Sequence, residues 1–200
     1  MPLANYTDLQ ASVASWMNRA DLTTQIPDFI AIAESFIADD VRVREMLATT
    51  TLVSVPGQDY IPLPAGWLEF ENILVGGVPL SYVTPLQLRA DSKRYVGAPL
   101  TRYSTEGGSL LLGGVQSVAQ NIPVSYYKQI DPLATTPTNF LLTKHPQVYL
   151  YGALAQAALF MIDDPRAATW QAAYAAAVGK VDSANKKGLV SGGSLRIRSR

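Results

Sequence analysis

The spacing of the hydrophobic residues changes twice along this chain, and this change constrains the fold more than any other feature. Apolar residues recur at helical intervals up to about residue 48, alternate along short segments over 50–130, and return to helical intervals over 146–185. Glycine and proline separate the alternating segments. The sequence therefore predicts an α+β fold, in which a helical bundle formed by the N- and C-terminal helices carries an inserted antiparallel β lobe.

Capping residues and prolines set the predicted boundaries of the N-terminal helices, which together occupy 5–48. Asn5 or Thr7 can cap a first helix that extends to about Arg19, and Pro27 suits the first turn of a second helix. The second helix has an apolar stripe that is expected to face the core. The stripe consists of Ile26, Phe29, Ile30, Ala33, Phe36, Ile37 and Val41.

Two further helices are predicted over 146–185. Pro146 opens an alanine-rich helix that extends to about Asp163. Pro165 opens another that ends at about Asn185, with Asp164 placed to cap it. Because alanine permits a close approach between helix axes, the two helices are expected to pack as a hairpin.

The β-rich insertion over 50–130 is predicted to consist of hairpins. Residues 50–63 predict two strands joined at 56–59, and residues 70–82 predict two more joined at Gly76-Gly77. The other predicted elements are a short helix from Thr84-Pro85 to about Ala90 and strands at 101–104, 109–112 and 122–128, with a turn at Gly107-Gly108.

The last fifteen residues carry five basic side chains and no acidic one. The whole chain has 16 of each sign, so residues 1–185 hold 11 basic and 16 acidic side chains. Glycine, serine and like charge predict a flexible basic C-terminal arm over 186–200, after a folded domain over 1–185. Leu195 and Ile197 alternate with Arg196 and Arg198, a pattern typical of a strand that forms on a partner.

Composition excludes several classes of protein. Charged residues make up 16% of the chain, against about 25% in ordinary soluble domains, so burial of uncharged surface against neighbouring subunits is expected. The absence of cysteine excludes a disulfide scaffold, thiolate nucleophiles and cysteine metal sites. The residues after Met1 lack a signal-peptide pattern, and the longest apolar stretch, 149–162, is too short to span a bilayer. A soluble protein without membrane contact is expected.

No arrangement of residues predicts catalysis, a cofactor or a metal. His145 is the only histidine, and it precedes Pro146 at a helix start without a recognisable nucleophile beside it. The glycine pairs lack the phosphate-loop pattern, and the neighbouring acids Asp39-Asp40 and Asp163-Asp164 diverge by about 100° on a helix. These features indicate turns, caps and solvated faces, so the protein is predicted not to be an enzyme.

Tyrosines concentrate in the β-rich insertion, where they could stack on bases or sugars. Only five basic residues accompany them there, so packed strand edges and subunit contacts are favoured over a nucleic-acid platform. The tyrosines concerned are Tyr82, Tyr95, Tyr103, Tyr126 and Tyr127.

The order of many short motifs along the chain indicates which kind of protein this is. The N-terminal motifs are Tyr6-Thr7-Asp8-Leu9, Trp16-Met17-Asn18-Arg19-Ala20-Asp21-Leu22, Ile26-Pro27-Asp28-Phe29-Ile30 and Ala33-Glu34. The middle motifs are Tyr60-Ile61-Pro62-Leu63-Pro64 and Trp67-Leu68-Glu69. The closing motifs are Val124-Ser125-Tyr126-Tyr127-Lys128, Asn139-Phe140-Leu141-Leu142, His145-Pro146, Tyr149-Leu150-Tyr151-Gly152 and Asp163-Asp164-Pro165-Arg166 with Trp170. Over about 180 residues, this order resembles the head-to-tail adaptor (connector) proteins of tailed bacteriophages.

The resemblance implies a structural protein of the virion neck, assembled in the host cytoplasm. It implies that 1–185 is an adaptor domain, and that the protein forms a ring, a dodecamer, beneath the portal protein. It also implies that the ring extends the DNA channel, lets genomic DNA pass during ejection without specific binding, and offers a platform for tail nozzle, tail tube or tail fibre proteins.

The arm permits two hypotheses of different classes. In the first it docks on the portal through Leu189, Leu195, Arg196, Ile197, Arg198 and Arg200, the basic residues pairing with carboxylates and the apolar ones entering pockets. In the alternative, the protein is a nucleic-acid-binding module whose basic C-terminal arm contacts phosphates.

Overall fold

The computed structural model describes residues 3–19, 21–92, 99–161 and 165–190. Within them the chain divides into a helical unit, Met1–Glu45 with Ile130–Arg200, and a β unit, Met46–Gln129. The helices of the helical unit are α1 Tyr6–Met17, α2 Ile26–Asp40, α4 Phe140–Lys144, α5 Pro146–Phe160 and α6 Ala167–Val190. The β unit contains β1 Leu47–Val53, β2 Tyr60–Pro62, β3 Trp67–Val75, β4 Val78–Pro79, β5 Ser81–Tyr82, α3 Pro85–Ser92, β6 Arg102–Glu106, β7 Ser109–Leu112 and β8 Asn121–Lys128. The predicted α+β class is confirmed.

Helix α5 lies at the centre of the helical unit because it is apolar on nearly every side. Helices α1, α2 and α6 each pack against it, and a helix without a polar face is stable only when it is surrounded. Its buried residues are Val148, Tyr149, Leu150, Gly152, Ala153, Leu154, Ala155, Ala157 and Ala158. The predicted packing of α5 against α6 is present.

Two asparagine caps fix helix starts in this unit. Of the two predicted caps of α1, Asn5 is the one used: its side chain accepts a hydrogen bond from the Asp8 backbone N–H at 2.9 Å, and Thr7 lies inside the helix. Asn139 caps α4, a helix that the sequence analysis missed, by accepting from the Leu142 N–H at 2.8 Å. Its amide also donates to the hydroxyl of buried Tyr149 at 2.8 Å, so one side chain serves two structural roles.

The β unit consists of two four-stranded sheets around one core. The strand orders are β1-β8-β3-β4 and β2-β7-β6-β5. The core between them is formed by Ile61, Ile73, Leu80, Leu100, Leu110, Leu112, Ile122, Val124 and Tyr126. The turns at Gly76-Gly77 and Gly107-Gly108 are confirmed, and all four glycines have positive φ, which the tightest hairpin turns require at both central positions.

The predicted hairpin over 50–63 is wrong. Strand β1 pairs with β8, whereas β2 pairs with β7 in the other sheet. A glycine turn does form at Gly57, which has a φ of 82°. Such a turn determines where the chain reverses direction, but it does not determine which strands pair with each other. The strand pairs of the predicted antiparallel lobe are antiparallel with one exception, because β5 pairs with β6 in parallel.

Helix lengths differ from the predicted ones at both ends of the chain. Helix α2 ends at Asp40 rather than near 48, because the backbone becomes extended at Val41 (φ −107°, ψ 124°), and β1 pairs with β8 from Leu47 onward. Helix α6 extends to Val190 and so includes 186–190, which the sequence analysis assigned to the arm. The predicted cap at Asp164 and the helix end at Asp163 lie outside the described residues.

Glu34 supplies a pH-dependent contribution to the stability of the helical unit. Its carboxylate accepts the Leu133 backbone N–H at 2.8 Å, and burial raises its pKa although that hydrogen bond lowers it. A carboxyl group whose pKa is raised on folding contributes stability at low pH that is lost as pH rises through the folded pKa. A glutamine side chain at this position would keep the acceptor without a charge.

We therefore expect Glu34→Gln to gain stability relative to the wild type as pH rises from about 4 to about 7, in urea unfolding followed by circular dichroism. Glu45→Gln is the matched control. Lys144 contacts Glu45 at 2.7 Å and lowers its pKa, so that variant should lose stability relative to the wild type over the same interval. Equal slopes for the two variants would contradict the prediction.

Candidate interaction surfaces

The C-terminal end of α6 is tied to the segment that follows α2. The Arg44 backbone N–H donates to the Asn185 Oδ1 at 3.3 Å, and the Asn185 Nδ2 donates to the Arg42 carbonyl at 3.2 Å. A Cβ at Gly188 would collide with the Arg44 guanidinium, so this glycine permits close packing. These contacts hold the last turns of α6 and hence the point from which residues 191–200 continue.

A cavity of about 150 Å³ lies beside this end of α6. His145 lines it, at the junction between α4 and α5, and makes no side-chain capping bond there. Lys144 also lines it, and its ammonium contacts the Glu45 carboxylate at 2.7 Å. Among the described residues, the lining consists of Val43, Arg44, Glu45, Phe140, Lys144, His145, Val181, Ala184 and Asn185. None of these lining residues is a serine or a threonine.

Helix α2 exposes two large apolar side chains one turn apart. Ile32 is 45% exposed and Phe36 is 46% exposed. The predicted burial of Phe36 in the apolar stripe is wrong: Phe29, Ala33 and Ile37 fill the contact with the core, and Phe36 lies at the edge of the stripe. Exposed apolar pairs of this kind are typical of subunit contacts.

One exposed stripe of α6 carries small residues over two turns. Ala172, Ala176 and Gly179 are exposed, and a Cβ at Gly179 would meet no atom within 4 Å. On the other side of the helix, Trp170 joins an aromatic cluster with Trp16 and Tyr151, with ring centroids 5.7 and 6.1 Å from that of Trp170. The helical unit therefore presents uncharged surface alongside a well-packed interior.

The tyrosines of the β unit separate into two environments. Tyr126 is buried between the sheets, which agrees with the packing role that the sequence favoured. Tyr82 is 58% exposed and contacts Tyr103 edge to face, with centroids 5.6 Å apart. Tyr95 lies outside the described residues.

The profile of the SU10 adaptor protein family matches residues 4–198. The chain belongs to this family. No curated protein matches it. The family consists of phage adaptor proteins, so the resemblance drawn from the order of the sequence motifs is confirmed, and the protein is a structural component of a bacteriophage.

Membership in the SU10 adaptor family associates this adaptor with the virion neck and with portal and tail components. In the described part of the chain, no helix combines the length and the apolar character that crossing a membrane would need. The same residues contain no group of three or more acidic or histidine side chains placed to hold a metal ion.

The structure locates only one of the six predicted docking residues of this adaptor. Leu189 lies in the last turn of α6. Near it, Lys186 pairs with Asp182 at 2.7 Å across one helical turn, so this basic residue of the predicted arm belongs to the folded helix. Leu195, Arg196, Ile197, Arg198 and Arg200 lie outside the described residues.

Proposed function

We propose that this protein is the head-to-tail adaptor of a tailed bacteriophage and acts without chemistry. In this role it forms a ring under the portal, extends the DNA channel and provides the attachment platform for tail nozzle, tail tube or tail fibre proteins. The observation that carries the proposal is the family match, which covers nearly the whole chain rather than one motif.

The surface of the helical unit supports assembly into a ring. A ring requires heterologous contacts, in which two different faces of the same protein meet repeatedly until the rotation closes. Helices α2 and α6 offer two such faces, one with exposed Ile32 and Phe36 and the other with small residues. The low fraction of charged residues reduces the desolvation cost of burying both faces.

The C-terminal arm supports docking on the portal. Residues 186–200 carry five basic side chains and no acid, and the contacts of Arg44 with α6 fix the base of this segment. In the proposed complex, Arg196, Arg198 and Arg200 pair with portal carboxylates, and Leu195 and Ile197 enter apolar pockets between portal subunits. A ring of weakly binding arms then binds tightly through its many copies.

The acidic excess of the rest of the chain supports a DNA conduit. Residues 1–185 hold 16 acidic and 11 basic side chains. A net negative wall repels phosphates, so genomic DNA passes through the channel without being retained.

We expect the isolated protein to be a monomer at micromolar concentration and to form a ring only on heads that carry the portal. Contacts made of small and uncharged groups are too weak to offset the association entropy without a template. Light scattering of the purified chain, and particle imaging of the chain mixed with portal-bearing heads, test both halves of the expectation. A stable dodecamer in solution would contradict the first half, and heads left bare by a folded chain would contradict the proposed function.

The basic arm also supports a second candidate, a nucleic-acid-binding module. Binding through phosphates releases counterions and weakens steeply with salt. Titration of the full chain with free duplex DNA at several salt concentrations separates the two functions. Tight, salt-sensitive binding favours the module, and an arm that is inert towards DNA favours the adaptor.

A further inference from the structure

Strand β1 lies at the outer edge of the first sheet of the β unit, where it pairs with β8 on one side only. Among the described residues, no strand pairs with its other side. We call this other side the open edge. The strand is seven residues long, Leu47–Val53, and its exposed side chains alternate with half-buried ones. The exposed residues are Leu47, Thr49, Thr51 and Val53.

The hydrogen bonds of β1 show which of its backbone groups face the open edge. In an antiparallel pair, opposed residues alternate between those that exchange hydrogen bonds and those whose N–H and C=O groups point away from the partner strand. The Ser54 N–H donates to the Gln120 carbonyl at 3.0 Å. Thr51 lies opposite Pro123, which has no N–H to donate. Both observations assign the bonds to β8 to the even-numbered residues, so the backbone groups of the odd-numbered residues point to the open edge.

The other sheet edges in the described part of the β unit are protected against strand addition. Strands β2, β4 and β5 have only two or three residues, and β2 and β4 each contain a proline. The part of β3 that β4 leaves uncovered carries two acidic residues and two register shifts. Short length, proline, charge and bulges are devices by which proteins prevent edge pairing. Strand β1 has none of them, because it is long, contains neither charge nor proline, and pairs with β8 without a register shift.

The side chains beside the open edge favour an uncharged occupant. Neither β1 nor the segment of β8 opposite it, 121–127, includes a charged side chain. Threonine and valine on β1 pair well with β-branched side chains on a neighbouring strand. The basic segment 191–200 suits this edge poorly, because its arginines would meet no carboxylate on either strand.

A second copy of the chain also suits the edge poorly. Within the described residues, β1 is the long strand that lacks edge protection, so a neighbouring copy would have to offer β1 itself. Pairing of two identical edges is a two-fold contact that closes a dimer, whereas a ring needs heterologous contacts. This step rests on the proposed function, and it favours a different protein as the source of the added strand.

We propose that the open edge of β1 accepts an extended, uncharged segment of a partner protein as an additional strand. Main-chain hydrogen bonds to Thr49 and Thr51 supply the affinity, and the alternating side chains of the segment supply the specificity. The side chains on one face of the added strand lie beside Thr49 and Thr51, and those on the other face lie beside Ala48 and Leu52. The surface is separate from the C-terminal arm, so the adaptor has a second attachment point.

Amide hydrogen exchange of the full-length protein, resolved by NMR, tests this proposal at single residues. The probe is the uncharged peptide acetyl-Ser-Val-Thr-Val-Thr-Val-Ser-amide. The reference peptide has the same side chains and carries methyl groups on its three central amide nitrogens, which removes the donors that strand pairing needs.

We expect the probe to slow exchange of the Thr49 and Thr51 amides about tenfold when about nine-tenths of the protein is bound. The amides of Thr50 and Leu52 already face β8, so their exchange should change much less. The methylated peptide should leave the exchange of all four amides unchanged.

Thr51→Pro removes one outward donor from the protein. Proline is tolerated on an edge strand where its nitrogen faces solvent, so the pairing with β8 should persist in circular dichroism and urea unfolding. The variant should bind the probe about fivefold or more weakly. Thr51→Ala is the matched control, because it changes the same side chain and keeps the N–H. If Thr51→Pro does not fold, the exchange measurements on the wild type decide the question alone.

Several results would overturn the inference. Protection of the Thr49 and Thr51 amides in the free chain would mean that the chain itself covers the edge, and protection that rises with protein concentration alone would assign the edge to a second copy. A peptide of residues 191–200 that protects them at lower concentration than the probe would assign it to the arm. Unchanged exchange at millimolar probe, or equal protection by the methylated peptide, would exclude strand addition.

None of these measurements involves heads or portal. Failure of ring formation would therefore leave them intact, and failure of the probe to bind β1 would leave the ring untouched. The two proposals fail separately.

Discussion

A chain that ends at Val190 is expected to fold normally and yet fail to attach to portal-bearing heads. Truncation at this point keeps the whole of α6 together with its contacts to Arg42 and Arg44. It removes three arginines and the apolar pair, Leu195 and Ile197. Circular dichroism should show the wild-type helix content, and the fraction of decorated heads counted by imaging should fall to background. Wild-type occupancy and lifetime of the truncated chain on heads would refute the docking role of the arm.

Point variants separate the two contributions of the arm. Replacing Arg196, Arg198 and Arg200 together with Ser should slow attachment mainly at low salt, because long-range charge guides the encounter and is screened by ions. Replacing Leu195 and Ile197 with Ser should instead speed dissociation, because buried apolar contacts act on the lifetime of a complex. Lys180→Ser, on the exposed face of α6 before the arm, is the control for a general effect of basic charge.

Two glycines inside helices should respond in opposite ways to substitution. A Cβ at Gly152 in α5 would lie 3.1 Å from the Ala33 Cβ and 3.4 Å from the Tyr174 ring. Helices α2 and α6 therefore both pack closely against α5 at this position. Gly152→Val adds three methyl-sized groups to that contact, and overpacking of this kind costs about 3 kcal/mol of unfolding free energy. Urea unfolding followed by the helix signal in far-ultraviolet circular dichroism measures the loss.

Gly179→Ala is the matched control for the helix backbone. Nothing lies within 4 Å of the added Cβ, so the substitution should stabilise the isolated chain by about 0.5–1 kcal/mol through helix propensity and reduced chain entropy. If both variants lost stability equally, the close approach of three helices at Gly152 would not be the cause.

The confirmed predictions depend on neighbours in sequence. Asn5 caps α1 because its side chain reaches an N–H three residues later, and Gly76-Gly77 turns the chain because both residues have positive φ. Such signals act over a few residues, and they are independent of what the rest of the chain does. The family was recognisable for the same reason, since the order of short local motifs was sufficient.

The predictions that were wrong concern partners distant in sequence. The pairing of β1 with β8 joins segments that are far apart along the chain, such as Leu52 and Ile122, and the residues around Gly57 contain no information about that choice. Phe36 has the spacing of a core residue and still lies at the edge of the contact, because the width of the buried stripe depends on how α5 approaches α2.

The same distinction between local signals and distant contacts applies to the candidate sites. The sequence by itself determined the α+β class, the family, the Asn5 helix cap, the glycine turns and the basic character of the C-terminal segment, because each depends on composition or on a few adjacent residues. Only the tertiary structure decided that β1 pairs with β8 and lies at the edge of its sheet, and that Arg44 packs against Gly188 at the base of the arm. Both arrangements bring together residues from separate elements, and their positions follow from the burial of apolar side chains throughout each unit rather than from any local pattern.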